Sequence, residues 1–313
     1  MASQPNRPKA VFLDALSLGP VDLDPLRRWV ELHCWPSTDP EQRLERLHGA
    51  EVVITNKIRL DGPLLASLPS LRLVCTASTG TDQVDGQACA ERGIAVRNGG
   101  PYSRASVVQV TWALILELRC QVAERRRQVA AGDWQRSPVF SLVLPEFDEL
   151  AGQHLTVVGA GDIGQAVARI GTAFGMETSL ITSKTSPEDL ETALRQADVV
   201  SLHAPLTPRT RGLINGTSLG WLKPSALLIN MARGALVDTD ALVAALEGQR
   251  LAGAALDVLV NEPPGAELDN LLGVPNLLIT PHMAWSSRQA RRRLVETMAV
   301  HLQEFVQGPW QSP

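Results

Sequence analysis

Six short strand candidates recur through the second half of the chain, each four to six residues long and each separated from the next by a longer segment. Runs of this length are typical of parallel strands buried on both faces, because the helices that connect such strands cover both sides of the sheet. The runs lie at 155–158, 177–182, 198–203, 226–230, 252–257 and 277–280. This pattern predicts a doubly wound, Rossmann-type domain with six parallel strands.

The first hundred residues alternate β-rich runs with helical segments in the same way, with clear runs at 10–13, 52–55, 71–75 and 94–96. Asp24-Pro25 supplies an N-cap followed by a proline at the first helical position, which predicts a helix from Asp24 to about Leu32. We expect five parallel strands here, in an open flavodoxin-like sheet. The predicted fold class is therefore α/β, with two doubly wound parallel-sheet domains.

The run Asn98-Gly99-Gly100-Pro101 stops any regular element and predicts a hinge. The helix that follows is apolar on more than one face, which favours burial between domains or subunits. Residues 134–149 contain two prolines and little periodicity, and we expect an extended arm. A last helix is expected from about Ser286 to Val306, with its arginines at 288 and 291–293 in solvent. We therefore predict a discontinuous substrate domain, 1–99 with 287–313, and a nucleotide-binding domain, 100–286.

Three glycines follow the apolar run at 155–158 with the spacing Gly-x-Gly-x-x-Gly, and a helical segment begins behind them. Gly159 permits a tight turn, Gly161 lets a pyrophosphate approach the backbone, and Gly164 allows the helix to pack closely on the strand. The new helix N-terminus, with Asp162 and Ile163, offers N–H groups to an anion. This strand–turn–helix context predicts a dinucleotide-binding site.

Composition excludes several other classes of protein. The 313 residues carry a formal net charge of −4 and a pI near 5.9, which argues against binding to nucleic acid or to an anionic membrane. We predict a cytoplasmic protein, since neither a secretory leader nor a membrane span is evident in the sequence. We also predict no metal site, because no His or carboxylate cluster has ligand spacing.

Polar residues directly after strands deserve attention, because ligands of doubly wound sheets bind at the carboxyl ends of the strands. Arg233 follows the fourth run, Glu262 the fifth and His282 the sixth. Arginine can hold a carboxylate in a forked contact, and histidine can exchange a proton with an alkoxide while a carboxylate fixes its tautomer. We predict that Arg233 anchors the substrate, His282 is the acid and base, and Glu262 orients it.

Seven stretches of the chain resemble the D-isomer-specific 2-hydroxyacid dehydrogenases. They are 159–164, 174–176, 197–207, 230–238, Asp257, 261–263 and 280–285. The resemblance implies the same Arg-Glu-His set, and it implies that Ser78, Thr79 and Gly80 bind the substrate carboxylate through backbone N–H groups. It also implies a homodimer joined through the nucleotide domain and its arm. Beyond the glycine turn, the cofactor contacts that we expect are His203, Pro205, Met231, Ala232, Arg233, Asp257 and His282.

Within that family, residues 133–138 and 281–287 look most similar to the glycerate dehydrogenase, or hydroxypyruvate reductase, branch. The expected reaction is reduction of hydroxypyruvate to D-glycerate by hydride transfer, with glyoxylate to glycolate as a second activity. One alternative is another 2-oxo acid, such as 2-oxogluconate. The other is an NAD(H)-sensing binding protein, because corepressors related to this family keep the same three residues.

The end of the second strand favours NADP over NAD. NAD-using members of the family place an acidic residue there to bind the ribose hydroxyls of the adenosine. Here the position is Thr182, followed by Ser183 and Lys184, so hydroxyls and a cation replace the carboxylate that would repel a 2′-phosphate. A merely permissive loop on an NAD enzyme is the alternative.

Overall fold

The computed structural model describes residues 7–308, which cluster by their contacts into two compact units. The first unit comprises the residues up to Ser103 together with those from Ser286 onward, and the second is Arg104–Trp285. The boundaries predicted from the sequence were 99/100 and 286/287. The functions predicted for the two units, substrate binding and nucleotide binding, stay predictions.

Short strands and helices alternate along nearly the whole chain. The strands are β1 (Lys9–Phe12), β2 (Glu31–Cys34), β3 (Val52–Thr55), β4 (Leu73–Thr76), β5 (Ala95–Asn98), β6 (His154–Val158), β7 (Glu177–Ile181), β8 (Val199–Leu202), β9 (Leu227–Asn230), β10 (Gly253–Leu256) and β11 (Leu277–Ile279). The α-helices are α1 (Asp24–Arg27), α2 (Arg43–Leu47), α3 (Gly62–Ala66), α4 (Gly86–Glu91), α5 (Arg104–Cys120), α6 (Val122–Ala130), α7 (Asp133–Arg136), α8 (Asp162–Ala173), α9 (Pro187–Gln196), α10 (Gly216–Leu219), α11 (Thr239–Glu247), α12 (Glu267–Leu272) and α13 (Arg288–Gln307).

The first unit contains a five-stranded parallel sheet in the order β2-β1-β3-β4-β5. This is the flavodoxin-like order, in which the strand order reverses between β1 and β3, and it confirms the predicted fold of this half. The three central strands β1, β3 and β4 are almost completely buried, as expected for parallel strands covered by helices on both faces.

The helix predicted from Asp24 to about Leu32 is wrong in its second half. Helix α1 ends at Arg27, and Glu31–Cys34 is an edge strand that pairs with β1 from Lys9↔Glu31 to Phe12↔Cys34. Most of this strand is exposed, so it lacks the apolar run that marks the central strands. Its conformation is set by pairing with a strand about twenty residues earlier rather than by local pattern.

The second unit contains a six-stranded parallel sheet in the order β11-β10-β9-β8-β6-β7. All six runs predicted for this half are strands, and their observed bounds differ from the predicted ones by at most one residue. The strand order reverses between β6 and β8, which both flank the point where a doubly wound sheet binds its ligand. The predicted Rossmann-type architecture is confirmed.

Helix α5, for which we expected burial between domains or subunits, packs on α8, β9 and β10 of its own unit. Its buried residues include Val107, Trp112 and Ile115, and the Trp112 ring lies 4.9 Å from that of Phe174. The arm after α7 has no regular structure up to β6. It leaves a row of apolar side chains exposed: Val139, Phe140, Val143, Leu144 and Phe147.

Two of the four arginines that we expected in solvent donate hydrogen bonds that anchor α13. Arg291 donates to the carbonyl oxygens of Leu18 and Pro20 at 2.9 and 3.2 Å, and Arg293 donates to that of Tyr102 at 3.0 Å. The expectation of a wholly solvated face is therefore wrong for Arg291, which is only partly exposed, because its partner carbonyls come from a distant part of the first unit. Arg288, Arg292 and Arg293 are exposed as expected. Among the described residues, no helix is long and apolar enough to cross a membrane.

Candidate active site

The glycine turn after β6 gives each of its three glycines a different role. Gly159 has φ +102°, and a Cβ there would lie 2.5 Å from the backbone nitrogen of Ala204 after β8. A Cβ on Gly164 would lie 2.0 Å from the carbonyl oxygen of Gly159, so this glycine lets α8 pack against the turn. A Cβ on Gly161 would meet no described atom within 4 Å. The space over Gly161 is open to a ligand, as a dinucleotide site requires.

A cavity of about 630 Å³ lies at the carboxyl ends of β6, β7 and β8, where the strand order reverses. Its floor is formed by the turn at Gly159–Gly161, and helix α8 begins there with no side chain capping its N-terminus. Uncapped N–H groups at a helix start favour an anion. The cavity and its open glycine therefore fit the pyrophosphate and adenosine part of a dinucleotide.

His203 lines this cavity directly after β8. Its Nε2 lies 2.8 Å from the Ser201 hydroxyl, and burial lowers the pKa of the imidazole to about 4 although the residue keeps some exposed surface. The ring is consequently neutral at physiological pH. It contributes shape and one hydrogen-bonding nitrogen to the cavity, and no charge.

The residues predicted to bind the cofactor divide into two groups. Some of them line the cavity: Gly159, Gly161, Thr182, Ser183, His203 and Pro205. Others do not line it: Asp162, Ile163, Gly164, Lys184, Met231, Ala232, Arg233, Asp257 and His282. Of these, Asp162 pairs with Arg104 at 2.8 Å, and the last five lie at the ends of β9, β10 and β11. Contact of each residue with a cofactor stays a prediction.

The loop after β7 carries hydroxyl groups and one lysine but no carboxylate from Thr182 to Ser186. Thr185 Oγ1 accepts the N–H of Thr182, and Thr182 Oγ1 accepts the N–H of Lys184. Arg209, from the turn after β8, donates to the carbonyl oxygens of Ser183 and Thr185 at 2.6 and 3.0 Å. Sequence reasoning missed Arg209, because no motif marks it and the two loops meet only in the folded unit.

Arg233 stands in a loop after β9 that is fixed by the buried Asn230. The Asn230 amide donates to the Arg233 carbonyl at 2.8 Å and accepts the N–H of Ala232 at 3.1 Å. The next residue, Gly234, touches the loop after β10, and a Cβ there would lie 2.0 Å from the carbonyl carbon of Leu259. Any larger residue would clash there, so Gly234 allows the Arg233 loop to pack against the loop that carries Glu262.

Glu262 and His282 form a direct pair, with 2.5 Å between Glu262 Oε2 and His282 Nδ1. The other carboxylate oxygen, Oε1, accepts the N–H of Leu259 at 2.8 Å, which fixes the carboxylate in turn. About a quarter of each side chain stays exposed, so a small molecule can reach the imidazole. The structure thus brings Glu262 and His282 together at the same sheet edge as Arg233.

Buried Asp257, after β10, holds the loop that carries His282. Its carboxylate accepts hydrogen bonds from the Thr280 hydroxyl at 2.6 Å and from the N–H groups of Met283 and Ala284, each at 3.0 Å. His282 itself has φ +51°, which is uncommon for a residue with a side chain. The three bonds to Asp257 keep the loop in this conformation and thereby aim the imidazole.

The first unit places Ser78, Thr79 and Gly80 in the loop after β4. Their side chains are engaged locally: the Ser78 hydroxyl donates to the Gly80 carbonyl at 2.7 Å and that of Thr79 to Gly100 at 2.9 Å. Within the described part of the chain, the backbone N–H groups of the three residues donate to no protein acceptor. Such a row of open N–H groups suits a carboxylate.

Across residues 7–308, no group of three or more His, Cys, Asp or Glu side chains could hold a metal ion. The side chains of the candidate site offer an imidazole, a carboxylate and a guanidinium.

Comparison with known families decides the class. The family model described as "D-isomer specific 2-hydroxyacid dehydrogenase, NAD binding domain" matches residues 112–284, more than half of the chain. The chain belongs to this family. The D-2-hydroxyacid dehydrogenases are oxidoreductases, and the matched span contains the glycine turn, the cavity and the Arg233, Glu262 and His282 positions.

Individual relatives of this dehydrogenase cover most of its length. Glycerate dehydrogenase from Methylorubrum extorquens is 38% identical over 276 residues, which cover 86% of this chain and 87% of that protein. Hydroxypyruvate reductase from Blautia hydrogenotrophica is 33% identical over 314 residues, which cover 96% of this chain and 97% of that protein. Among solved structures, the TT0316 protein from Thermus thermophilus superposes with a TM-score of 0.84 at 35% identity, covering 96% and 98%.

Proposed function

We propose that this dehydrogenase reduces hydroxypyruvate to D-glycerate, and glyoxylate to glycolate, with NADPH preferred over NADH. The observation that carries the proposal is the Glu262–His282 pair at 2.5 Å, at the same sheet edge as Arg233. The names of the two relatives support hydroxypyruvate and glycerate as the substrate class.

A bound nicotinamide supplies the hydride for this reaction. His282 donates a proton to the oxygen of the substrate as that oxygen gains negative charge, and it takes the proton back in the reverse direction. Glu262 accepts the Nδ1–H of His282, which fixes the tautomer that presents Nε2 to the substrate. Leu259 N–H keeps the Glu262 carboxylate in place for this role.

Arg233 is proposed to bind the substrate carboxylate and to polarise the neighbouring carbonyl. A guanidinium holds a carboxylate with two parallel hydrogen bonds, which orients the 2-oxo group as well as binding it. In the first unit, we propose that the open N–H groups of Ser78, Thr79 and Gly80 bind the carboxylate.

Residues Thr182, Ser183 and Lys184 support the preference for NADP. Without a carboxylate at the end of β7, nothing in this loop repels a 2′-phosphate, and the hydroxyl groups can donate hydrogen bonds to it.

We further propose a homodimer. The arm after α7 exposes a row of apolar side chains, of which Phe140 is 90% exposed, and an exposed apolar row of this kind favours association with another protein surface. The family resemblance supports a second copy of this chain as that partner. A cytoplasmic location stays a prediction.

The test is a steady-state comparison of NADPH and NADH, each with hydroxypyruvate and with glyoxylate, reported as kcat/KM. We expect activity with both acids, hydroxypyruvate leading, and a clear advantage for NADPH. An advantage for NADH would overturn the cofactor preference alone. Inactivity on both acids would direct attention to 2-oxogluconate and other 2-oxo acids, and binding of NAD(H) without turnover on any of them would favour a sensing role.

A further inference from the structure

We propose that Arg209, rather than Lys184, supplies the positive charge that selects NADP, by binding the 2′-phosphate of the cofactor. This inference rests on the proposed use of NADP. Arg209 belongs to the turn after β8 and not to the loop after β7, where the family pattern directs attention.

The cavity at the β6–β7–β8 edge is lined by a single charged side chain among the described residues. Among the described residues that line it, Arg209 is the one that carries a charge at neutral pH, since His203 is neutral and no Asp or Glu is present. Lys184 is exposed and does not line the cavity. An anionic group that enters this cavity therefore meets one fixed cation and no opposing carboxylate.

The Arg209 guanidinium is held against the loop after β7. Its Nη1 donates to the Ser183 carbonyl at 2.6 Å and its Nη2 to the Thr185 carbonyl at 3.0 Å. These carbonyls belong to the loop after the second strand of the unit, where dinucleotide-binding domains hold the ribose of the adenosine. The guanidinium lies at the ribose end of the cavity, and the glycine turn that suits the pyrophosphate lies on another strand.

Arg209 keeps N–H donors that its bonds to the loop after β7 do not use. A guanidinium has five N–H groups in a planar fork, and within the described residues the two bonds to carbonyl oxygens are the protein contacts of Arg209. Three N–H groups can therefore donate to a phosphate, a stronger contact than one ammonium provides. The nearby Ser186 hydroxyl is bonded to Asp189, whose carboxylate does not line the cavity.

The turn that carries Arg209 is already ordered. Thr210 Oγ1 accepts the N–H of Thr207 at 2.8 Å and donates to the Pro205 carbonyl at 2.7 Å. With the backbone fixed on this side and the guanidinium fixed on the other, little conformational entropy is left to lose when a phosphate binds. Arg209 is in this sense a preorganised contact.

The experiment compares binding of AMP and adenosine 2′,5′-bisphosphate to the intact protein by isothermal titration calorimetry. These probes differ only in the 2′-phosphate and need no turnover. The variants are Arg209→Gln, Lys184→Gln and the matched control Arg211→Gln, an exposed arginine two residues along that does not line the cavity. The ratio of kcat/KM for NADPH to that for NADH is measured on the same four proteins.

We expect the wild-type protein to bind the bisphosphate more tightly than AMP. Arg209→Gln should weaken binding of the bisphosphate by about 10- to 100-fold, the range expected for a hydrogen bond to a charged group. It should also lower the ratio of kcat/KM for NADPH to that for NADH. AMP binding then shows that the cavity is intact. Arg211→Gln should resemble the wild type.

Three outcomes would overturn the inference, and they differ in whether the proposed use of NADP is also overturned. If Lys184→Gln removes the preference and Arg209→Gln does not, NADP use stands and the lysine is the selecting cation. If Arg209→Gln weakens the binding of AMP and of the bisphosphate equally, the guanidinium binds the 5′-phosphate that both probes share. If the wild type does not distinguish the two probes, the proposed NADP preference itself fails.

Discussion

The carboxyl edge of the second sheet has two halves that are built in opposite ways. At β6, β7 and β8 the candidate site is largely backbone: a glycine turn, an uncapped helix start and loops rich in hydroxyl groups. At β9, β10 and β11 it consists of polar side chains, and each side chain or its loop is held by a further hydrogen bond. Asn230 fixes the loop of Arg233, Leu259 N–H fixes Glu262, and Asp257 fixes the loop of His282.

This difference shows how each half tolerates change. A backbone site fails when a side chain is added where the chain needs space, whereas a side-chain site fails when a functional group is removed. The two halves should therefore lose function through opposite kinds of substitution.

The largest effect is expected for His282→Ala, at the side-chain half. Loss of the proton donor should lower kcat by about 10²- to 10⁴-fold, the usual contribution of general acid–base catalysis. Nucleotide affinity, measured by quenching of protein fluorescence or by calorimetry, should stay close to that of the wild type. Glu262→Gln should retain more activity, because the imidazole remains. If His282→Ala turned over substrate normally but lost nucleotide, the assigned role would be wrong.

An intermediate effect is expected for added methyl groups in the glycine turn. Gly159→Ala forces a positive φ on alanine and a contact of 2.5 Å with backbone, and we expect it to lower the free energy of unfolding by about 1–3 kcal/mol. Gly161→Ala has open space around its Cβ and should leave the unfolding midpoint in urea unchanged while weakening nucleotide binding. Equal destabilisation by the two substitutions would contradict the separate roles of these glycines.

A further effect depends on pH and belongs to His203. Its pKa is about 4 in the folded chain against an ordinary value near 6.5, so the unfolded chain binds more protons between these values. Stability should therefore fall as the pH falls, by about 2 kcal/mol between pH 8 and pH 5 from this group. For His203→Gln, the free energy of unfolding measured by urea denaturation should fall less steeply as the pH is lowered. An unchanged pH dependence in that variant would mean that other groups control the acid limb.

The two halves also differ in how well the sequence predicts them. The glycine spacing and the six short strand candidates are local signals, so the turn and the second sheet follow from pattern alone. The arrangement at β9–β11 follows because parallel strands end at one edge. Arg209 could not be found this way, since its hydrogen bonds to the Ser183 and Thr185 carbonyls depend on how two separate loops fold.

The same reason explains the errors in the first unit. Strand β2 is an exposed edge strand, and its helical appearance in the sequence is overruled by pairing with β1. Arg291 looks like a solvated charge in the sequence, but folding brings the carbonyls of Leu18 and Pro20 to it. In each case the deciding partner lies far away along the chain.

Helix α13 has a consequence for the order in which the protein is made. It belongs to the first unit and is tied there by Arg291, yet it is encoded after the whole of the second unit. On the ribosome, β1 to β5 emerge long before this helix, while the second unit is one continuous stretch. Since domains fold as they emerge at about 5–20 residues per second, the second unit can complete its core during synthesis. The first unit cannot complete its core until α13 has been synthesised, and a nascent chain stalled before residue 288 would lack this helix.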